Sequence, residues 1–86
     1  MYKIRFLDPG ERAMQKFDRS VTTRVLRKLR WLAANADNVE QEGLHGEFAG
    51  FGKLREGDYR IIYKILKSEQ IIEVTLIGHR SEVYKK

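Results

Sequence analysis

The 86-residue chain contains no cysteine, which excludes a disulfide framework and any metal site built on thiolates. Its two histidines, His45 and His79, are far apart in sequence and make no convincing zinc motif without carboxylate help. No apolar run approaches the length of a membrane span. Ile4, Phe6 and Leu7 are interrupted by Arg5 and Asp8, so the start does not read as a signal peptide. There is no internal repeat, no low-complexity tract and no charged tail. The expectation is one cytoplasmic domain over residues 1–86, without membrane association, metal or other cofactor. A domain of this size buries only about 60% of its unfolded surface or slightly more, so a tight partner would add to a thin stability margin.

Positive charge is what the chain has in excess. Seventeen Lys and Arg stand against twelve Asp and Glu, for a net charge of +5 and a pI of about 9.7. This balance suits a polyanion or an acidic protein, although many small proteins are basic for solubility alone.

Hydrophobic periodicity divides the chain into six elements. Tyr2, Ile4 and Phe6 alternate with Lys3 and Arg5, as in a half-buried strand. Asp8-Pro9 ends it. Asp8 is the expected cap of a short helix running to about Asp18, with Pro9 in its first turn and Glu11 at capping-box spacing. Ser20 is the expected cap of a second helix, from Val21 to about Ala36. That helix is amphipathic. Val25, Leu26, Leu29, Leu32, Ala33 and Ala36 form one face; Arg24, Arg27, Lys28 and Trp31 stand on the other. Residues 35–46 read as a loop. A meander follows: strands over 51–55, 59–66 and 71 to about 78, with turns at 56–58 and 67–70. The order predicts an α+β fold, with a helical hairpin packed on one face of a small antiparallel sheet.

Alternation then places charge. Lys53 and Arg55 share a face with Phe51; Arg60, Ile62 and Lys64 share a face in the next strand, opposite Tyr59, Ile61, Tyr63 and Ile65. Pairing about the 56–58 turn brings these sets together as a cationic patch, with Phe51 and Ile62 between the charges. Outward charges usually mark a solvated face. A face placed for solubility usually mixes signs, however, and these two strands carry no outward carboxylate. Simple alternation puts Arg80 on the core side with Ile72, Val74 and Leu76, so a break or bulge at Gly78 is expected to turn it outward.

Leu44-His45-Gly46, Lys53-Leu54-Arg55, Gly57-Asp58-Tyr59-Arg60-Ile61-Ile62-Tyr63, Ile77-Gly78-His79-Arg80 and Glu82-Val83-Tyr84 together resemble the RelE/ParE toxin superfamily. The likeness extends over the whole chain in length and element order. It implies the toxin of a type II toxin–antitoxin pair. In the RelE branch such a toxin is an endoribonuclease that cuts mRNA in the ribosomal A site. In the ParE branch it inhibits DNA gyrase and is not known to cut RNA. A third possibility is an inactive homologue acting as co-repressor with its antitoxin. Implied partners are a cognate antitoxin, the ribosome with its mRNA, and operator DNA reached through the antitoxin.

By position, the RelE-branch resemblance maps catalysis to Lys53, Arg60, Arg80 and Tyr84, with Arg55 alongside. Phe51 stands where RelE has a further lysine. Metal-free cleavage by the 2′-hydroxyl needs a base, stabilisation of the phosphorane and a proton for the departing 5′-oxygen. Lys53 can be the base only if neutral, and neighbouring Arg55, Arg60 and Arg80 disfavour its charged form. His79 or Tyr84 is a candidate acid. Lys64, Arg24, Arg27 and Lys28 are candidate RNA contacts. His45 reads as an ordinary loop residue.

Overall fold

The computed structural model describes residues 1–39 and 50–83. Strand β1 (Lys3–Phe6) leads into helices α1 (Asp8–Lys16) and α2 (Arg19–Asn35), and a 3₁₀ turn (Ala36–Asn38) follows. Strands β2 (Gly52–Glu56), β3 (Tyr59–Leu66) and β4 (Ile71–His79) complete the described chain. The sheet order is β1-β4-β3-β2. The pairs β2–β3 and β3–β4 are antiparallel. Strand β1 runs parallel to β4, so the sheet is mixed rather than antiparallel throughout. The reason is topological: two helices intervene between β1 and the meander, and a helical crossover can return the chain in the same direction.

The helices pack on one sheet face. Val21, Val25, Leu29, Leu32 and Ala33 of α2 are buried against Ile61, Tyr63, Ile72, Val74 and Ile77. Helix α1 approaches β4 closely because Gly10 faces Val74. A methyl group at Gly10 would meet the Val74 carbonyl oxygen at 2.9 Å, and the Leu7 amide donates to that same oxygen at 2.9 Å. Among the described residues, no helix is long and apolar enough to cross a membrane.

The helix starts differ from the residues expected. Leu7 is the N-cap of α1 without a side-chain bond, and Asp8 already lies inside the helix. Its carboxylate still adds negative charge to the first turn, where the helix dipole favours it. For α2 the cap is Asp18 rather than Ser20. The Asp18 carboxylate accepts from the Val21 amide at 3.1 Å, and Ser20 Oγ donates to it at 2.8 Å. Both donors favour the ionised form and hold the Asp18 carboxyl below its usual range.

The break in β4 also falls elsewhere. Ile62 pairs with Leu76 and Tyr63 with Val74, leaving Thr75 as the extra residue of a β-bulge. The bulge switches the parity of β4. Ile72 and Val74 face the helices before it, and Ile77 and His79 face them after it. Leu76 and Gly78 consequently lie on the outer face, and Arg80 emerges exposed without any break at Gly78.

Candidate nucleic-acid interface

The outer sheet face carries its charges by strand alternation and cross-strand register. Lys53 pairs with Ile62, and Arg55 pairs directly with Arg60. Lys64 is exposed and pairs with Glu73, and its ammonium lies 5.8 Å from the Phe51 ring centre. Ile62 lies between the charges, as alternation places it, and is fully buried. Phe51 is half-buried.

The face has two electrostatically different ends. Near β1, Glu73 accepts from Arg5 at 2.6 Å, so charge there is paired. This carboxylate belongs to β4, outside the two strands from which the sign of the face was judged. The other end gathers around the β2–β3 turn. Gly57 holds φ at +58° there, a backbone conformation natural to glycine. Arg60 donates from one terminal nitrogen to the carbonyl of Gly57 at 3.0 Å and to that of Tyr59 at 2.9 Å. The Arg80 amide donates to the Asp58 carbonyl at 2.7 Å. A terminal nitrogen of Arg24 lies 3.5 Å from where a Gly57 methyl would stand. Three guanidinium groups from α2, β3 and the end of β4 therefore border one turn. Asp58 is the carboxylate near them, 3.8 Å from Arg80 Nε. Both side chains are about two-thirds exposed, so solvent screens most of that attraction.

The expected site residues thus divide. Lys53, Arg55, Arg60 and Lys64 share the outer face, and Arg80 stands at its rim. Arg24 joins the turn from the helix side, a reach set by the packing of α2. Arg27 is exposed on α2, and Lys28 lies 5.5 Å from the centre of the half-exposed Trp31 ring. Tyr84 and His45 lie outside the described residues.

His79 is on the other side of the sheet. It pairs with Tyr59, and the two rings meet edge to face at 5.8 Å. Tyr59 in turn meets Phe17 of α1 at 5.0 Å. The His79 ring is anchored through Nδ1, which accepts from the Ser81 amide at 3.2 Å and lies 2.8 Å from Ser81 Oγ. These rings, with Arg12, Lys16 and Glu82, line a cleft of about 490 Å³ between α1 and the end of β4. Arg12 and Lys16 have the i, i+4 spacing that puts side chains on one helix face. That was the sequence signal for this second basic surface, and it was missed. Among the described residues no group of His, Asp and Glu could hold a metal ion.

Comparison with known proteins agrees with this architecture. The family described as the ParE toxin of the type II toxin–antitoxin system matches residues 6–84. A chain of the toxin–antitoxin complex RelBE2 from Mycobacterium tuberculosis is 25% identical, with a TM-score of 0.79 over 92% of this chain and 98% of that one. The isolated RelE toxin of E. coli is 18% identical, with a TM-score of 0.77 over 92% and 84% of the two chains. A YoeB/ParE toxin from Agrobacterium tumefaciens is 19% identical, with a TM-score of 0.73 over 90% and 96%. No curated protein matches the sequence.

Proposed function

The chain belongs to the ParE toxin family of type II toxin–antitoxin systems, within the RelE/ParE superfamily, and we propose that within this superfamily it acts as the RelE branch does, as an endoribonuclease cutting messenger RNA in the ribosomal A site. The observation that carries this reading is the joining of Lys53, Arg55 and Arg60 on one rigid outer face, with Arg80 at its rim. Strands β2 and β3 contribute no outward carboxylate to offset them. A phosphodiester in cleavage concentrates negative charge on its non-bridging oxygens, and preorganised guanidinium groups stabilise that charge without reorganising.

In the proposed reaction the 2′-oxygen attacks the adjacent phosphorus and the bond to the 5′-oxygen breaks. The products are a 2′,3′-cyclic phosphate and a 5′-hydroxyl. Lys53, as general base, takes the 2′-hydroxyl proton. Arg60 and Arg80 bind the phosphorane oxygens, and Arg55 and Lys64 hold the flanking backbone. The departing oxygen takes its proton from Tyr84 or through water. His79 faces the helices, which favours a separate role for it. No step requires a cofactor. The ribosome supplies what an open face lacks, a substrate held in line for attack. A cognate antitoxin, acidic or apolar where it meets this face, would fold over it and silence it; similarity to a chain from a toxin–antitoxin complex supports such a partner.

The family description favours a second reading, inhibition of DNA gyrase without catalysis. Primer extension on a message in a purified translation system tests both, run beside a gyrase supercoiling assay. The expected result is cleavage of translated message, poor cleavage of naked RNA and unaffected supercoiling. Arg80→Ala should abolish cleavage with stability changed by no more than about 0.5 kcal/mol, since the side chain is exposed. Intact message with blocked supercoiling would replace this reading by the gyrase one. Naked RNA cut as fast as translated message would overturn dependence on the ribosome.

A further inference from the structure

The cleft between α1 and the end of β4 is separate from the outer face. The two meet at the strand end, where Gly78 lines the cleft while its cross-strand partner is Arg60. One wall of the cleft is basic. Arg12 and Lys16 are exposed on α1, and among the described residues neither forms an ion pair or side-chain hydrogen bond. The floor is aromatic, built from Phe17, Tyr59 and His79 in consecutive edge-to-face contact. Glu82, exposed, also lines the cleft, from the chain beyond β4.

This is an unusual lining for a purely structural crevice. Hydrophobic packing alone gives no reason to aim two cations into the same space as a tyrosine and a histidine. The volume, about 490 Å³, falls within the roughly 300–1,000 Å³ of small-molecule sites. The chemistry is two-part: cations for an anion and π-faces for a flat ring. A nucleotide offers both. Bases stack on aromatic side chains whatever their sequence, and lysine and arginine bind the attached phosphate. Glu82 sets the direction. Its carboxylate repels phosphate, so the phosphate belongs at the α1 wall and the base toward Tyr59 and His79. Ser81 holds His79 by Nδ1, and no hydrogen bond among the described residues engages Nε2, which faces a ligand in this proposal.

We propose that this cleft is a nucleotide subsite, taking one ribonucleotide with its phosphate on Arg12 and Lys16 and its base against Tyr59 and His79. It rests on the RNA reading above for its biological ligand and extends it: a strand crossing the outer face past Arg60 and Arg80 turns over the end of β4 and inserts a flanking nucleotide. His79 is then a binding residue rather than the acid of the cleavage step.

The test follows the His79 ring by NMR while the intact protein is titrated with 5′-AMP at fixed pH. The chain has two histidines, so His45→Gln assigns the signals. The His79 signals should shift to saturation with 5′-AMP, and much less with adenosine or inorganic phosphate at equal concentration. Arg12→Ala/Lys16→Ala should weaken binding at least tenfold; both side chains are exposed, so the fold should survive. Arg30→Ala, an exposed cation of α2 away from the cleft and the outer face, should leave it unchanged. An undiminished response in the double variant, saturation by phosphate alone, or loss of binding in Arg30→Ala would each overturn the subsite. Failure is separable from that of the RNA reading. Message cleavage with no His79 response removes the subsite alone. A His79 response that depends on Arg12 and Lys16, without any message cleavage, keeps a nucleotide site and removes the nuclease.

Discussion

Arg55 and Arg60 are direct partners across the β2–β3 ladder, two cations side by side with no carboxylate from either strand on their face. Like charges placed directly opposite destabilise a sheet by roughly 0.2–1 kcal/mol. The arrangement therefore works against the stability of a domain already small for its core. A polyanion laid across the pair reverses the sign of the effect. Arg55→Thr, which keeps a good strand former, should raise stability by a few tenths of a kcal/mol, roughly. It should also lower message cleavage by about tenfold or more, the loss of one charge-assisted phosphate contact. Urea denaturation read beside primer extension checks both halves. A stabilised variant with full activity would show that the pair serves no polyanion.

Lys53 stands beside that pair, opposite Ile62. An arginine there keeps the positive charge but cannot readily give up a proton, so it separates base catalysis from electrostatic holding. Lys53→Arg is expected to bind ribosomes as the unaltered protein does and to cleave at least a hundredfold more slowly, within the range that general base catalysis contributes. Single-turnover cleavage and ribosome co-sedimentation provide the comparison. Equal cleavage rates would reduce Lys53 to a phosphate clamp.

The bulge at Thr75 has its own cost. Among the described residues the buried Thr75 hydroxyl has no hydrogen-bond partner. An unsatisfied buried polar group costs on the order of 1–3 kcal/mol, and valine has nearly the same shape without that group. Thr75→Val should stabilise the protein by about 1 kcal/mol without shifting the β3–β4 register, as measured by the urea midpoint and by β4 amide exchange. A destabilised variant would mean that the hydroxyl is satisfied in solution.

Asp18 links stability to pH. Its carboxyl is held below the usual range by the Val21 amide and the Ser20 hydroxyl. A folded-state value below the unfolded one adds stability that is full above the unfolded value of about 3.9. That stability disappears as pH falls through the lower folded value. Asn also caps helices well but does not titrate in this range. The stability difference between the protein and Asp18→Asn should therefore be constant above about pH 5 and shrink on acidification. Urea midpoints at pH 3, 4, 5 and 7 test it; a pH-independent difference would remove Asp18 from the acid response.

Local signals determined most of the architecture. Alternation in β1 and β3, the apolar stripe of α2 and the glycine-bearing turn at 57 place the elements to within a residue or two. Their physics is short-range: side chains alternate along a strand and recur every turn of a helix. The cross-strand meeting of Lys53 and Arg55 with Arg60 was legible for the same reason, because a tight turn sets the register of its hairpin.

What only the tertiary structure decided involves partners distant in sequence. The parallel pairing of β1 with β4 joins Arg5 to Glu73, and no local pattern encodes which strands become neighbours. The bulge at Thr75 sets the faces of Leu76, Gly78 and His79. Alternation could register that the parity of β4 fails, but it could not locate the extra residue, because that depends on which β3 side chains must meet the helix core. The cleft has the same origin. Arg12 and Lys16 were ordinary basic residues of a short helix until Gly10 let α1 settle on β4 and brought them over Tyr59 and His79.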